Sequence, residues 1–270
     1  MKAVRLREGG VLEVEEVPAP RPGAGDVVVR VHAAAITRDE LDWPTDRLPA
    51  TPSYELSGVV EEVGSAVDDL AVGDAVYALT PFDRDGVAAE LGVVPAAVLA
   101  PKPRAIGHVE SAALPLAGLS AWQGLFDQGG LEAGEHVLVL GPTGGVGHLA
   151  TQLARERGAH VIDQPDGATR ADLVFDTAGG DALAGAASVL RDGGRLVSVA
   201  EEPPADLDGT YFIVEPSREQ LVELARLVDA GRLRPAIDTV FPLEDARAAF
   251  ERVASRGKRG KVVLEVYATE

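Results

Sequence analysis

A chain of 270 residues with 46% hydrophobic side chains can bury a substantial core in one large domain or two modest ones, which excludes disorder as its default state. Its formal charge of −18 excludes a nucleic-acid groove, which needs clustered Lys and Arg, and no apolar run approaches the ~20 residues of a membrane span. The absence of cysteine excludes disulfides, thiolate nucleophiles and cysteine-ligated zinc, and none of the five histidines is paired at the i, i+4 spacing of a helical zinc site.

Met1-Lys2-Ala3-Val4 runs straight into a strand pattern without the features of a secretory signal, so the expectation is a cytoplasmic protein with no membrane partner. Residues 2–6, 12–17 and 27–32 read as short strands, separated by Gly9-Gly10 and by the turn Pro18-Ala19-Pro20-Arg21-Pro22-Gly23. Residues 58–63, 75–78 and 89–94 continue the pattern, with turn chemistry at Gly64-Ser65 and Gly73-Asp74. Short strands at this spacing indicate a small β-barrel or sandwich.

After Pro103 the texture changes. Residues 109–128 are helical and Ala-rich, 137–140 form a buried strand, 147–158 an amphipathic helix and 160–162 the next strand. A strand at 173–176, a helix at 182–190 and a strand at 196–200 follow. Strand and helix in alternation predict a parallel sheet with crossover helices. Residues 212–215, a helix at 218–230 and a tail strand at 261–266 close the chain, and the basic run Arg256-Gly257-Lys258-Arg259-Gly260-Lys261 reads as a solvated turn, with a cofactor-phosphate contact as the alternative.

The densest chemical signal is the turn Gly141-Pro142-Thr143-Gly144-Gly145-Val146-Gly147, set between the strand 137–140 and the helix that begins at Gly147. Gly144 would let the backbone approach a pyrophosphate, and Gly147 would let the helix pack closely on the strand. The helix then aims its free N–H groups and positive dipole end at the phosphates. Pro142 stands where a strict G-x-G-x-x-G has glycine, so the match is partial. The competing reading is a tight βα turn that uses glycine for packing alone.

A second stretch, Tyr54-Glu55-x-x-Gly58-x5-Gly64-x-x-Val67, has the spacing of the zinc alcohol dehydrogenase signature, with Tyr54 where a zinc-binding histidine belongs. Ala35-Ile36-Thr37-Arg38 is similar to the segment that supplies the cysteine ligand, with Thr37 in its place. Together with Gly73-Asp74-x-Val76, Ala112-Ala113-Leu114-Pro115 and Gly193-Gly194-Arg195-Leu196-Val197, the chain resembles a zinc-free medium-chain dehydrogenase/reductase of the quinone oxidoreductase-like branch. The resemblance implies an α/β protein: a GroES-like β-barrel lobe over residues 1–106 and 237–270, and a Rossmann-like, doubly wound parallel sheet over residues 107–236.

It also implies a soluble homodimer that uses NADPH (or NADH) and no metal. Hydride would pass to a quinone or an α,β-unsaturated carbonyl compound in the cleft between the lobes. The cofactor set is then Gly141, Thr143, Gly144, Gly145, Val146 and Gly147, with Thr177 and Gly179 after the next core strand. Tyr54 and Thr37 are the candidate proton or hydrogen-bond donors, and Arg38 anchors a polar substrate or pairs with Asp39. A phenol near pKa 10 needs perturbation to act as an acid near pH 7, and a packing role in the vacated metal site is the alternative for Tyr54.

One departure stands out. Only nine residues separate Ile162 from Asp172, fewer than a βαβ crossover needs, and Pro165 and Gly167 oppose a helix there. At least one strand–helix unit of the nucleotide lobe is therefore missing on the adenosine side. Asp166, 19 residues after Gly147, and Arg170 are the residues left to meet the adenosine ribose, the alternative for Asp166 being a solvated turn residue. Two other readings stay open: a reductase scaffold repurposed for a non-redox cyclisation, elimination or isomerisation, and a non-catalytic binding protein.

Overall fold

The computed structural model describes residues 1–38, 40–43, 47–164, 168–205, 207–255 and 257–267. Asp39 and Asp166 lie outside the described residues, as does Arg256 of the basic run. The chain opens with β1 (Lys2–Arg7), β2 (Val11–Glu16), β3 (Asp26–Ile36), β4 (Glu55–Val63), β5 (Ala75–Leu79), β6 (Leu91–Pro95) and β7 (Ala100–Pro101). Then come α1 (His108–Ala112), α2 (Pro115–Trp122), β8 (His136–Leu140), α3 (Gly147–Glu156), β9 (His160–Val161) and β10 (Ala171–Asp176). The order ends with α4 (Gly180–Ala184), β11 (Leu190–Ser198), β12 (Thr210–Tyr211), α5 (Arg218–Asp229), β13 (Ile237–Pro242), α6 (Ala246–Ala254) and β14 (Lys261–Glu265). No helix among the described residues is long and apolar enough to cross a membrane.

Two compact units result: Met1–Leu116 with Pro216–Ala230 and Pro235–Glu270, and Ala117–Glu215 with Gly231–Arg234. The first is β-rich. β1 and β2 form a hairpin, and a seven-stranded sheet runs β13-β14-β3-β4-β5-β7, with β6 also paired to β3. β3 lies between neighbours and is buried along most of its length, so Val27, Val29, Val31 and Ala34 fill one cluster with Leu56, Val60 and Val76. β4 comes so close to β3 that a Cβ on Gly58 would collide with the Arg30 carbonyl.

β14 runs antiparallel to β3 with Val262 opposite Ile36, which carries Lys261 from the far end of the chain to the end of β3. The sequence signalled β14 but not β13 or α6. The nine residues of α6 are Ala- and Arg-rich and form a helix through packing, because Ala246, Ala249, Phe250 and Val253 join a cluster with Val4, Ile36 and Val262.

The second unit is built on a five-stranded sheet of order β12-β11-β10-β8-β9, parallel at every pairing. A doubly wound dinucleotide sheet has the order 3-2-1-4-5-6. With β8 as its first strand, this sheet has strands 2, 1, 4, 5 and 6, and β9 stands at the edge where a third strand would pair. The described residues of the link from Ile162 to Arg170 contain no helix. The lost strand–helix unit inferred from the nine-residue spacing is thus visible as a shortened edge.

Two local expectations change. The helix expected at 182–190 splits at Gly185 into α4 and a 3-10 turn (Ala186–Ser188), and β11 already begins at Leu190, opposite Ala171. The strand expected at 212–215 lies earlier, where Thr210 and Tyr211 pair with Val197 and Ser198.

Candidate active-site elements

In the second unit the glycine turn follows β8 at the position where strand order reverses, with β9 on one side of β8 and β10 on the other. Gly141 has φ +79°, a conformation that favours glycine, and a side chain there would press on Thr177 Oγ1. A Cβ on Gly147 would collide with the Gly141 carbonyl oxygen, so that glycine is required for the first turn of α3 to sit against the strand end. Gly144 is different: its N–H donates to Gly141 O at 3.0 Å, and a Cβ would meet only that oxygen, at 3.3 Å. Its open side is where a ligand backbone can approach.

Among the described residues, the N–H groups of Thr143, Gly145, Val146 and Gly147 find no acceptor within the protein. They stand at the start of a ten-residue helix, where the dipole adds positive potential. This is a fit for a pyrophosphate: a turn in which Gly141 and Gly147 admit no side chain, with four donors unpaired among the described residues. His148 is turned back to the Gly144 carbonyl at 2.8 Å.

β10 supplies the opposite wall. The Thr177 hydroxyl donates to Leu140 O at 2.7 Å, tying the loop after β10 to the turn. Asp176, which sequence reasoning used only as the end of a strand, is fully buried and shapes this loop. Its carboxylate accepts N–H bonds from Ala178 and Gly179 at 3.0 Å and the Ser198 hydroxyl at 2.8 Å. Gly179 follows with φ +71°, its backbone N–H committed to Asp176. Arg170 is not beside the glycine turn in its contacts: its guanidinium donates to the Ser188 carbonyl.

In the first unit, Thr37 follows β3, Tyr54 precedes β4, and a buried polar cluster joins the two segments. Glu55, Lys261 and Glu40 are 1%, 5% and 6% exposed, so water does little to screen them. The Lys261 ammonium donates to Glu55 Oε1 and to Thr37 Oγ1, the latter at 2.9 Å. The Thr37 hydroxyl in turn donates to Glu55 Oε1 at 3.3 Å, so its proton points into the protein. Glu55 Oε2 accepts the Leu116 N–H at 2.9 Å. Glu40 accepts the N–H groups of Thr37 and Ser53, both at 3.0 Å. Burial pushes the Glu40 carboxyl up to about 8, against the pull of these N–H bonds and of Lys261.

That cluster fixes Tyr54. Ser53 has φ +66°, rare for a residue with a side chain, and is held there by Glu40 on its N–H and by Ala35 O on its hydroxyl at 2.8 Å. The Tyr54 ring packs against Phe82 and Trp43, with centroids 5.2 and 5.7 Å away. Burial, and then the charge of Glu40, raises its phenol above the ordinary value, so it remains a protonated donor at neutral pH. Among the described residues its hydroxyl has no hydrogen-bond partner. Arg38 is exposed and makes no ion pair among the described residues. The sequence thus named Thr37 and Tyr54, and missed Glu40 and Lys261, which hold them.

Comparison with known proteins matches residues 23–104 to the alcohol dehydrogenase GroES-like domain and residues 150–264 to the zinc-binding dehydrogenase family. The chain is 33% identical to a probable mitochondrial zinc-binding oxidoreductase of Arthroderma benhamiae, over 94% of this chain and 92% of that protein. It is 32% identical to an NADPH-dependent alkenal/one oxidoreductase of Arabidopsis thaliana, over 94% of this chain and 76% of the relative. The solved structure of the quinone oxidoreductase from Coxiella burnetii superposes with a TM-score of 0.89 at 27% identity, covering 98% of this chain and 99% of that one. The two sequence alignments extend over 307 and 302 positions against a chain of 270 residues, so these relatives carry residues that this one lacks.

Proposed function

This chain belongs to the medium-chain dehydrogenase/reductase superfamily, in its quinone oxidoreductase-like branch, and from that premise we propose that it is a zinc-independent, nicotinamide-dependent reductase of a quinone or an α,β-unsaturated carbonyl compound. Oxidoreductase names recur among its relatives, and the one named alkenal/one oxidoreductase supports the substrate class. The observation that carries the reading is the glycine turn: four N–H donors at the head of α3 that have no acceptor among the described residues, at the reversal point of a parallel sheet.

A reduced nicotinamide, when bound, supplies the hydride. The chain's own part is to hold the pyrophosphate on the 143–147 backbone and to keep the loop after β10 in place through Asp176. Tyr54 donates its phenolic hydrogen bond to the substrate oxygen on which negative charge develops. Thr37 positions this end of β3 instead, since its hydroxyl proton is held by Glu55.

Zinc independence rests on donor chemistry. Thr37 and Tyr54 replace the soft ligands, and the Lys261 ammonium already bonds Thr37 Oγ1, so a dication brought to these residues would meet a fixed positive charge. The test is oxidation of NADH or NADPH, followed by absorbance, with a quinone or an enone as acceptor after treatment with a strong chelator. Turnover that survives chelation is the expected result, and loss of turnover restored by zinc overturns the metal-free reading. The shortened sheet edge favours one other reading, a non-redox reaction on the same scaffold; conversion of an enone without added nicotinamide would establish it.

A further inference from the structure

No two histidines have the i, i+4 spacing of a helical metal site, but strand pairing brings two of them together. β8 and β9 run parallel with His136 directly opposite His160, which puts both imidazoles on one face of the sheet. Their ring centroids are 5.1 Å apart and the rings are tilted by 34°. Two imidazoles on one tetrahedral zinc, with Zn–N bonds of about 2.0–2.1 Å, have centroids roughly 5 Å apart.

The frame beneath them is fixed. The His160 N–H donates to Glu135 O and the Ile162 N–H to Val137 O, both at 2.8 Å, while the Gly134 N–H reaches Gly158 O at 2.9 Å just before the two strands begin. On the other side of β8, the buried Asp172 of β10 accepts the His136 backbone N–H on Oδ2 at 2.7 Å. The same oxygen lies 3.8 Å from His136 Nδ1, within reach of a small ring rotation. A carboxylate beside one ring nitrogen is the regular partner of a metal-binding histidine, because it takes that N–H and leaves the other nitrogen for the ion. The His136 side chain is 45% exposed and His160 is exposed, so an ion can reach both.

The nearby charges are matched. Arg191 bonds Asp172 Oδ1 and Arg195 bonds Glu135 Oε2, both at 2.7 Å, so each of these arginines has its own acid. Among the described residues no group of three or more ligating side chains forms a cage, so water must fill the remaining positions of a bound ion.

We propose that His136 and His160 form a binding site for a zinc-class transition-metal ion, with Asp172 orienting His136, and that the ion staples β9 to its neighbour. β9 is two residues long and stands at the edge of the sheet, where a bond across the strands adds to few hydrogen bonds. The site lies at the amino ends of β8 and β9, whereas the glycine turn leaves the carboxyl end of β8. It is therefore independent of the reductase reading and of metal-free chemistry there.

The test is calorimetric titration of the full, chelator-treated chain with zinc chloride at neutral pH. One ion per chain is expected, with a Kd on the order of 10 µM, weaker than a four-ligand site. His136→Gln and His160→Gln should each weaken binding at least tenfold, and magnesium, which prefers oxygen ligands, should not compete. Zinc should raise the urea midpoint of the unaltered chain but not that of His160→Gln, whose metal-free midpoint stays unchanged because the ring is exposed. Undiminished zinc binding in both variants, or no saturable binding below about 1 mM, overturns the proposal.

Discussion

Replacing Lys261 with methionine isolates the buried cluster of the first unit. The substitution keeps an unbranched chain of similar length but removes the ammonium that bonds both Glu55 and Thr37. Glu55, 1% exposed, is left with the Leu116 N–H and the Thr37 hydroxyl as its partners. Breaking a buried pair from one side costs about 3–5 kcal/mol, because the remaining charge is neither paired nor solvated. With a urea dependence of roughly 2 kcal/mol per M, the unfolding midpoint of this unit falls by about 1.5–2.5 M. Urea unfolding followed by Trp43 fluorescence reports on the right unit. The double variant Lys261→Met/Glu55→Met should recover most of the loss, since an apolar pair of similar volume needs no counter-charge. A loss below about 1 kcal/mol in the single variant, or a double variant no better than the single, would refute the argument that the pair is buried and mutually dependent.

Three other outcomes follow from the same structure. His108 is hydrogen-bonded to the Ser57 hydroxyl at 2.8 Å and stacked on His32 at 4.3 Å; burial, and then His32 and Lys102, push it down to about 4. The unfolded chain therefore takes up a proton near pH 6.5 that the folded one refuses, so stability is full above that pH and falls towards pH 4 by up to roughly 3 kcal/mol. His108→Gln should flatten the dependence of the urea midpoint between pH 7 and pH 5, and an unchanged slope would assign it elsewhere. Gly147→Ala, whose Cβ collides with the Gly141 carbonyl, should cost about 1–3 kcal/mol and abolish nucleotide binding. Gly144→Ala meets only a 3.3 Å contact and should fold normally while binding at least tenfold more weakly; normal binding by both variants would remove the turn from the site. Tyr54→Phe retains the packing on Trp43 and Phe82, so kcat should fall by about 10²-fold or more with the melting temperature unchanged, and an unaltered kcat would reject the phenol as donor.

What the sequence determined is what a short stretch of chain decides by itself. The strand, glycine turn and helix from β8 to α3 are contiguous, and steric demands at Gly141 and Gly147 are met within the turn or by the neighbouring strand end. The missing strand–helix unit was legible for the same reason: nine residues cannot hold a crossover, whatever the rest of the chain does. Even so, Asp166 was chosen by counting from Gly147 and lies outside the described residues, while β9 pairs with β8 only over His160–Val161. A strand's end depends on pairing with its neighbour, which spacing along the chain does not contain.

Tertiary structure alone decided the ionic cluster. Lys261 is 224 residues from Thr37 and 206 from Glu55, and the three meet because β14 pairs with β3. In sequence Lys261 belonged to a basic turn, and Glu40 carried no assignment at all. Burial reversed the reading of Lys261, since a charge taken out of water must find a partner, and that partner is set by strand order rather than by the residues alongside it.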